Sequence, residues 1–314
     1  MEVVRRKTFE TAEAFLDGIG PRSAIWEGEP QDWAFRGHAD SNWLLIPSAL
    51  RKPIVTKLED PASHPEMPFT EFQIPWEGMW PGELISLADF MQAADQVALT
   101  LPDQPFSRNT IHQLLQRIHV GPSLDSTQTR KFIEEFGDWP PGEVIGVMAL
   151  AQHHGLETRL LDWSRRARTA AYFAAHGAAP LKDSDPGFLV MWALRIGMAA
   201  RAFPPQPPNR FPRVEVVMPP LSTNPRMAAQ AGFFTVDRSK TAPEGLDVTV
   251  ANQAKLLKPD FRHLAEPAFW QFMLPKSQAG RLLKLLAVED VHGATVFPGF
   301  DGVVSTLRER RYWR

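Results

Sequence analysis

The sequence predicts an α+β fold in which a mixed sheet forms the core and the N-terminal half is mainly helical. Four strand-like apolar runs lie in the second half, at residues 187–194, 214–218, 232–236 and 269–274. Helical periodicity dominates the first half after one opening strand, which ends near Arg36. Because no repeat or linker divides the chain, we expect a single domain over residues 1–314, with a short helix at 8–18 and a basic tail at 308–314.

The composition excludes several classes of function. The 314 residues are 44% hydrophobic and 22% charged, as in globular proteins with a substantial core. The absence of cysteine excludes disulfides, thiolate metal ligands and cysteine nucleophiles. A formal net charge of −2 argues against a general electrostatic affinity for nucleic acids, although a local basic patch is compatible with it. No apolar run reaches about 18 residues, so we expect a cytoplasmic protein without a membrane partner.

Further helices are predicted from apolar residues that recur every three to four positions. The segments are 83–99, 109–119, 127–136, 143–154, 277–291 beginning at Ser277, and 301–310. The proline-rich residues 53–82 lack a sustained period and predict a long surface excursion. The tail at 308–314 is predicted to be a solvated terminus, with contact to nucleic acid as the alternative.

Residues 151–177 carry the highest density of chemically informative side chains. Gly155 is expected to end a helix in the left-handed conformation, with Leu156 folding back onto it. An extended segment then runs from Thr158 to Trp163. Ser164 is expected to be the N-cap of a second helix that Gly177 ends.

Three arginines near the start of that second helix conflict with its macrodipole. The positive end of the dipole favours anions, so Arg165, Arg166 and Arg168 are misplaced unless a negative group offsets them. One interpretation is a phosphate site built from guanidinium groups and free N–H groups. The other is that Asp162 or another surface carboxylate neutralises solvated arginines.

His153 and His154 do not predict a metal site. Neighbouring helical positions point about 100° apart, and no H-x-x-x-H spacing is present, so we expect no bound metal. His154 is interpreted either as a hydrogen-bonding or acid/base residue or as a core histidine bonded to backbone. Asp162 follows two leucines and is interpreted as a partly buried carboxylate that orients a ligand hydroxyl or anchors a turn.

Arg36 lies at the end of an apolar strand-like run, where a charge needs a partner. Either the guanidinium faces an anionic ligand from the strand end, or it forms a structural salt bridge with Asp40 or Asp162. Gly37 would let a ligand approach the backbone closely.

These motifs together resemble the FRG domain family, whose name derives from its Phe-Arg-Gly tripeptide. The resemblance runs from about residue 30 to residue 307, through Phe35-Arg36-Gly37, Trp43 to Arg51, Gln152 to Ser164, Ala171 to Ala174, Ala229 to Phe234, and Val296 to Gly302. It implies one FRG-type domain. The family more often has an Asn-Pro pair where this chain has Arg165 to Arg168.

The same pattern is more distantly similar to ADP-ribosyltransferases. Those enzymes have an aromatic-Arg-Gly at the end of a first core strand, a Ser-Thr-Ser-like strand before a helix, and a glutamate on a later strand. Phe35-Arg36-Gly37 matches the first element, and residues 158–164 match the second loosely. Gln230 occupies the third position without the glutamate.

This similarity implies NAD as the ligand and assigns roles to individual residues. Arg36 and Gly37 would hold phosphate, Trp163 or Trp43 would stack on a ring, and Thr158 and Ser164 would supply hydrogen bonds. Arg165 would add a cation. Asp162, or alternatively Glu266, would supply the negative charge near the ribose, with His154 positioning the ligand and Gln230 as the third-motif residue.

The resemblance therefore implies an ADP-ribosyltransferase or NAD glycohydrolase in a bacterial toxin or anti-phage setting. Its partners would be a nucleotide ligand and a protein or nucleic-acid acceptor. Two alternatives stay open: a non-catalytic module that binds nucleic acid or protein, and a phosphate-ester hydrolase that uses His154 and Asp162.

Overall fold

A computed structural model gives the architecture of the chain. It describes residues 4–26, 32–51, 55–56, 72–73, 79–101, 108–113, 139–180, 186–196, 214–218, 224–238, 245–256 and 268–313. In chain order the strands are β1 (Val4–Thr8), β2 (Trp33–His38), β3 (Val55–Thr56), β4 (Phe72–Gln73), β5 (Leu160–Ser164), β6 (Phe188–Arg195), β7 (Val214–Val217), β8 (Gly232–Asp237) and β9 (Phe269–Pro275).

The helices lie mainly between and after these strands. They are α1 (Ala12–Gly18), α2 (Met79–Gln96), α3 (Gly142–His153), α4 (Ala167–Ala178), α5 (Pro225–Ala229), α6 (Leu246–Leu256), α7 (Ala279–Val288), α8 (Gly293–Val296) and α9 (Phe300–Glu309). Single 3₁₀ turns occupy Ser48–Leu50, Lys276–Gln278 and Arg310–Tyr312. Among the described helices, none is both long and apolar enough to cross a bilayer.

A seven-stranded mixed sheet forms the centre of the molecule. Its order is β1-β9-β6-β2-β5-β8-β7, and β1 runs parallel to β9 while the other neighbours are antiparallel. β6 is flanked on both sides and carries the uninterrupted apolar run typical of a central strand. Separately, β3 and β4 form a two-stranded ribbon.

Three apolar clusters cover this sheet. The first packs α1, α4 and α7 against β2, β6 and β9, and includes the fully buried Tyr172, Phe15 and Phe272. The second lies on the opposite face and contains Trp163 and Phe233. The third packs α2 and α3 against β5, β7 and β8. The α+β prediction is therefore confirmed.

The strand predictions in the second half agree with the structure within one or two residues. β6, β7, β8 and β9 occupy the four apolar runs. The helix predicted at 277–291 is shorter, because a 3₁₀ turn at Lys276–Gln278 precedes α7. Helix α3 ends as expected: Gly155 has a φ of 97°, and the Leu156 N–H donates to the Ala151 carbonyl at 3.0 Å.

Several predicted boundaries are wrong. The helix predicted at 8–18 begins only at Ala12, because Thr11 is its N-cap and accepts from the Ala14 N–H at 3.2 Å. Residues 4–8 form edge strand β1, whose exposed, charged side chains give no apolar alternation. α2 begins at Met79 rather than at residue 83. The helix that was expected to have Ser164 as its N-cap and to end at Gly177 is α4. It has Arg166 at its N-cap and ends at Ala178.

The C-terminal tail is also folded. Arg310–Tyr312 form a 3₁₀ turn and Trp313 packs partly buried on the first cluster, while Arg308, Arg310 and Arg311 are exposed and Arg314 lies outside the described residues. Residues 108–113 are helical as predicted, whereas the helix predicted at 127–136 and the rest of 109–119 lie outside the described residues. Most of the predicted excursion at 53–82 also lies outside them.

Candidate functional site

The candidate site begins where two neighbouring strands separate. β2 and β5 are paired only at Phe35 and Ser164. Beyond this pair, Arg36 on β2 and Asp162 on β5 have no ladder partners in each other's strand. The gap between the strands opens into a cavity of about 410 Å³, a volume within the range of small-molecule sites.

The Arg36 side chain bridges this gap. Its Nη1 donates to the Asp162 carbonyl at 2.8 Å and lies 3.4 Å from the Asp162 Oδ2. The guanidinium thus replaces the backbone ladder where the strands diverge. Its side chain is 14% exposed, while the Asp162 side chain is 59% exposed. Burial lowers the pKa of Arg36, and the Asp162 carboxylate opposes that effect. Of the two salt-bridge partners predicted for Arg36, Asp162 is confirmed and Asp40 is wrong, because Asp40 pairs with Lys276 at 2.7 Å; Arg36 also lines the open cavity.

His38 orients the Arg36 guanidinium by accepting a hydrogen bond from it. The Arg36 Nε donates to the His38 Nε2 at 2.9 Å. Because an arginine only donates, His38 must carry its proton on Nδ1, which lies 3.3 Å from the Trp43 carbonyl. Burial and the nearby Arg36 and Arg51 charges lower the pKa of His38 to about 3. His38 is therefore neutral at physiological pH and can accept the arginine's hydrogen bond.

A chain of hydrogen bonds fixes the carboxylate. The Gln152 Nε2 donates to the Asp162 Oδ1 at 2.7 Å. The Gln152 Oε1 accepts in turn from the Thr158 hydroxyl. Thr158 is buried and is not among the residues that line the cavity, so it acts on Asp162 through Gln152.

Ser164 and Gln230 join β5 to the turn before β8. The Ser164 hydroxyl donates to the Gln230 carbonyl at 2.7 Å and accepts from the Arg166 N–H at 2.9 Å. Gln230 is the C-cap of α5, and its Nε2 donates to the Val296 carbonyl at 3.2 Å. Both residues line the cavity, and the Ser164 hydroxyl and the Gln230 Nε2 already have protein partners.

Gly37 lines the cavity and allows helix α4 to approach strand β2 closely. A Cβ at this position would lie 2.0 Å from the Ala170 carbonyl oxygen and 2.6 Å from the Ala174 nitrogen. Both atoms belong to the backbone of α4, which cannot yield as a flexible side chain would. Gly37 therefore sets the spacing between α4 and β2, and with it the position of Arg36.

The remaining cavity wall combines rings with polar groups. Phe173 and Phe297 pack edge to face with ring centroids 5.7 Å apart, and Trp43 is 54% exposed. Other lining residues are Phe35, Gly37, Ala39, Gln152, His153, Trp163, Ala170, Gly177, Arg226, Met227 and Phe234.

The structure places His153 at this cavity instead of His154. His153 lines the wall, whereas His154 is the exposed C-cap of α3. Their rings meet edge to face at 5.1 Å. Partial burial, His154 and the positive charge of Arg226 lower the pKa of His153, while Asp162 acts in the opposite direction. The described residues contain no group of three His, Asp or Glu side chains able to hold a metal ion.

The two candidate tryptophans have opposite placements. The Trp163 ring belongs to the apolar cluster on the far face of the sheet, and its Nε1 donates to the Thr235 hydroxyl at 2.9 Å. Because β5 alternates, Trp163 and Asp162 point to different faces. Trp43 therefore supplies the exposed ring beside the Arg36 cavity.

Arg165 and its neighbours line a second cavity. This cavity of about 550 Å³ lies beside the start of α4 and contains Trp26, Trp33 and all three arginines. The Arg165 guanidinium lies 4.4 Å from the Phe233 ring centroid. Arg166 donates to the Ala229 carbonyl at 2.9 Å, and Arg168 pairs with Glu289 at 2.7 Å. Protein groups thus engage the arginines that the sequence suggested for an anion site.

Sequence reasoning missed Gln152, His153, Arg226, Phe173 and Phe297 as cavity residues. Gln152, His153 and Phe173 stood inside the motif-rich stretch, so their proximity to Asp162 was the available signal. Arg226 and Phe297 are distant in sequence, and no local pattern places them there. The alternative carboxylate Glu266 lies outside the described residues.

Comparison with known families assigns the central part of this chain. The family model described as the FRG domain matches residues 102–183. The chain contains an FRG domain. Within the described part of that match, α3, β5 and α4 supply Gln152, Asp162 and Phe173 to the cavity, whereas Arg36 and Gln230 come from outside it. No curated protein and no solved structure matches the chain.

Proposed function

We propose that the cavity binds a nucleotide, with NAD as the ligand, and that the protein cleaves its nicotinamide glycosidic bond. The observation that carries this proposal is the placement of the Arg36 guanidinium on the wall of an open cavity beside exposed aromatic surface. A planar guanidinium matches phosphate oxygens in a two-pronged geometry. The similarity of Phe35-Arg36-Gly37 to ADP-ribosyltransferases points to the same ligand.

The charge balance of the cavity favours an anion. Arg36 and Arg226 are permanent cations on its wall, and Asp162 is the carboxylate among its described lining residues. His38 accepts from the Arg36 Nε, and the Arg36 Nη1 donates to Asp162 at the cavity wall. A pyrophosphate would thus meet a guanidinium whose orientation is already fixed, so little entropy is lost on binding.

The apolar rings would hold the base and the leaving group. Trp43 is the most exposed aromatic residue at the site, and Phe173 and Phe297 form an edge-to-face pair on the wall. Planar heterocycles stack on such rings, and this stacking supplements the charge contact with phosphate.

Asp162 would act where positive charge develops. Cleavage breaks the bond between ribose C1′ and the nicotinamide nitrogen, which takes the electron pair, and leaves an oxocarbenium-like ribose. A carboxylate fixed by Gln152 stabilises that cation without reorganising. Water or an acceptor nucleophile then forms the new bond to C1′ and releases a proton. A protein or nucleic-acid acceptor, and a toxin or anti-phage role, rest on the family resemblance alone.

Titration calorimetry of the full chain with NAD tests the binding step. We expect Arg36→Ala to weaken binding by about 100-fold or more, because charge-assisted hydrogen bonds contribute about 1.5–3 kcal/mol each. Arg166→Ala is the matched control, since Arg166 lines the other cavity. Folded wild-type protein that does not bind NAD, or equal binding by Arg36→Ala, would refute the proposal.

Release of nicotinamide tests the chemical step separately. Asp162→Asn keeps an oxygen that accepts from Gln152 but removes the charge, so we expect turnover to fall while NAD affinity changes little. Binding without any turnover would reduce the proposal to a nucleotide-binding module. Binding of oligonucleotides with a steep salt dependence and no effect of NAD would replace it with a nucleic-acid-binding function.

A further inference from the structure

Helix α9 carries an exposed apolar stripe opposite its buried face. Gly302, Thr306 and Glu309 are buried against the protein. On the other side, Phe300 is 90% exposed, Val303 47%, Val304 44% and Leu307 55%. Their spacing of three, one and three residues places them along one line of the helix. We call these four residues the α9 stripe.

The helix that carries this stripe is held firmly. The buried Glu309 carboxylate accepts hydrogen bonds from the Tyr172 and Ser305 hydroxyls. The Thr306 hydroxyl accepts from the Ala294 N–H at 2.8 Å and donates to the Gly302 carbonyl at 3.0 Å. These contacts fix the rotation of α9 about its axis, so the stripe is a rigid outward-facing surface.

The stripe has a sequence symmetry that suits antiparallel self-association. When two copies of α9 align in opposite directions, Phe300 faces Leu307 of the other copy and Val303 faces Val304. Large residues then meet at both ends and small residues meet in the centre. A twofold axis through the middle of the stripe produces this arrangement, and isologous pairing of this kind is the commonest route to dimers.

The flanking charges have the same symmetry. Asp301 and Arg308 are seven residues apart, so they lie on one flank of the stripe, and both are exposed. In an antiparallel pair this flank faces its own copy, which brings Asp301 close to Arg308 of the second copy twice. Asp301 contacts Arg226 of its own chain only at 3.5 Å, with its side chain 91% exposed.

We propose that the α9 stripe is a self-association surface that binds a second copy of this chain in antiparallel orientation. A single helix face buries less area than a standard stable interface, so the dimer is weak and forms at micromolar or higher concentrations. This inference is independent of the nucleotide proposal, because none of the four stripe residues lines the Arg36 cavity.

Sedimentation velocity of the full chain across concentration tests this surface. We expect wild type to show concentration-dependent dimerisation and Leu307→Glu to weaken it by at least about tenfold, because the substitution forces two carboxylates into an apolar contact. The control is Val97→Glu, which changes a residue that is 66% exposed just after helix α2. Circular dichroism melting checks that both variants are folded.

Exchanging the charges of Asp301 and Arg308 tests the antiparallel orientation of the two α9 helices. Arg308→Asp alone should weaken dimerisation, since it places acid against acid, and adding Asp301→Arg should restore it. A wild type that stays monomeric at all concentrations overturns the proposal, as does a Leu307→Glu variant that dimerises normally. Loss of thermal stability in a monomeric Leu307→Glu protein would show another segment of the same chain on the stripe, and would also overturn it. Failure of the charge exchange to restore dimerisation would refute the antiparallel arrangement.

Discussion

A single arginine, Arg36, and a cluster of three arginines lie beside strand β5, and they differ in the protein groups that contact them. Arg36 stands alone beside a cavity, supported by one neutral histidine and one half-exposed carboxylate. Arg165, Arg166 and Arg168 stand together near the start of α4, where an aromatic ring, a carbonyl and a carboxylate respectively engage them. The sequence offered both sets as anion sites, each with a structural alternative; in the structure, protein groups engage all three arginines of the triple group, whereas Arg36 also lines the cavity between β2 and β5.

Clustered arginines are therefore not by themselves evidence of a ligand site, because protein groups can engage each of them. Each arginine of the triple group contacts another part of the fold; Arg168, for example, also donates to the Leu16 carbonyl at 2.7 Å. Arg36 instead spans a gap between strands, so a ligand can reach the same group that holds the strands together. Four predictions, in order of decreasing effect, test this contrast.

The largest effect on stability is expected from Gly37→Ala, which disrupts the packing of α4 on β2 that positions Arg36. The added Cβ would lie 2.0 Å from a backbone oxygen of α4, and we expect the free energy of unfolding to fall by about 3 kcal/mol or more. Urea denaturation measures this. Gly142→Ala is the control, because a Cβ there meets nothing within 4 Å. Equal stability of the two variants would contradict the close approach of α4 to β2.

The next effect is an acid sensitivity that arises from His38. Its pKa of about 3 lies below the ordinary value of 6.5, so between these pH values the unfolded chain binds a proton that the folded chain does not. Stability therefore falls as pH decreases through this window, by up to about 1.4 kcal/mol per pH unit.

His38→Gln should remove that sensitivity, since the amide oxygen can still accept from Arg36 but does not titrate. Urea denaturation at several pH values between 7 and 4 compares the slopes of the two proteins. Parallel slopes for wild type and His38→Gln would mean that other groups cause the acid sensitivity. A selective loss of NAD binding at low pH in wild type would further support the role of His38 in holding Arg36.

Arg168→Ala is expected to cost stability without affecting the cavity. The side chain loses its Glu289 pair and its bond to the Leu16 carbonyl, which together contribute about 1–2 kcal/mol at this partly exposed position. Chemical denaturation gives the stability, and calorimetry should show unchanged NAD affinity. A large loss of affinity would assign the triple group to the ligand site after all.

The smallest effect is expected from Arg165→Ala. Removing the guanidinium over Phe233 should cost about 0.5–1 kcal/mol, as for other partly exposed cation–π contacts. Arg165→Lys keeps a cation on a flexible stem and should recover part of that loss. If Arg165→Ala is as stable as wild type, the ring contact contributes nothing measurable.

Much of the fold was predictable because its strands are continuous apolar runs. Residues 187–194 and 269–274 gave β6 and β9 because central strands buried on both faces need such runs. β1 was missed because it is an edge strand whose side chains are largely exposed. The Gly155 stop was predictable because helix termination depends on local backbone geometry.

The candidate site was only partly predictable. Among the residues that the motifs suggested, those that line the cavity are Arg36, Gly37, Asp162, Trp163, Ser164 and Gln230, whereas His154, Thr158 and Arg165 do not. A helix end decides which of two adjacent histidines faces inward, and the pleat of β5 decides that Trp163 points away from Asp162. Neither direction follows from residue type.

By itself, the sequence determined the α+β class, the main strands and the short list of polar residues, because periodicity and local turn chemistry act over a few neighbouring residues. Only the tertiary structure decided that β2 and β5 separate after a single residue pair, and that Arg226 and Phe297 complete the wall of the resulting cavity. Those outcomes depend on contacts between residues that are distant along the chain, and no local pattern encodes such distances.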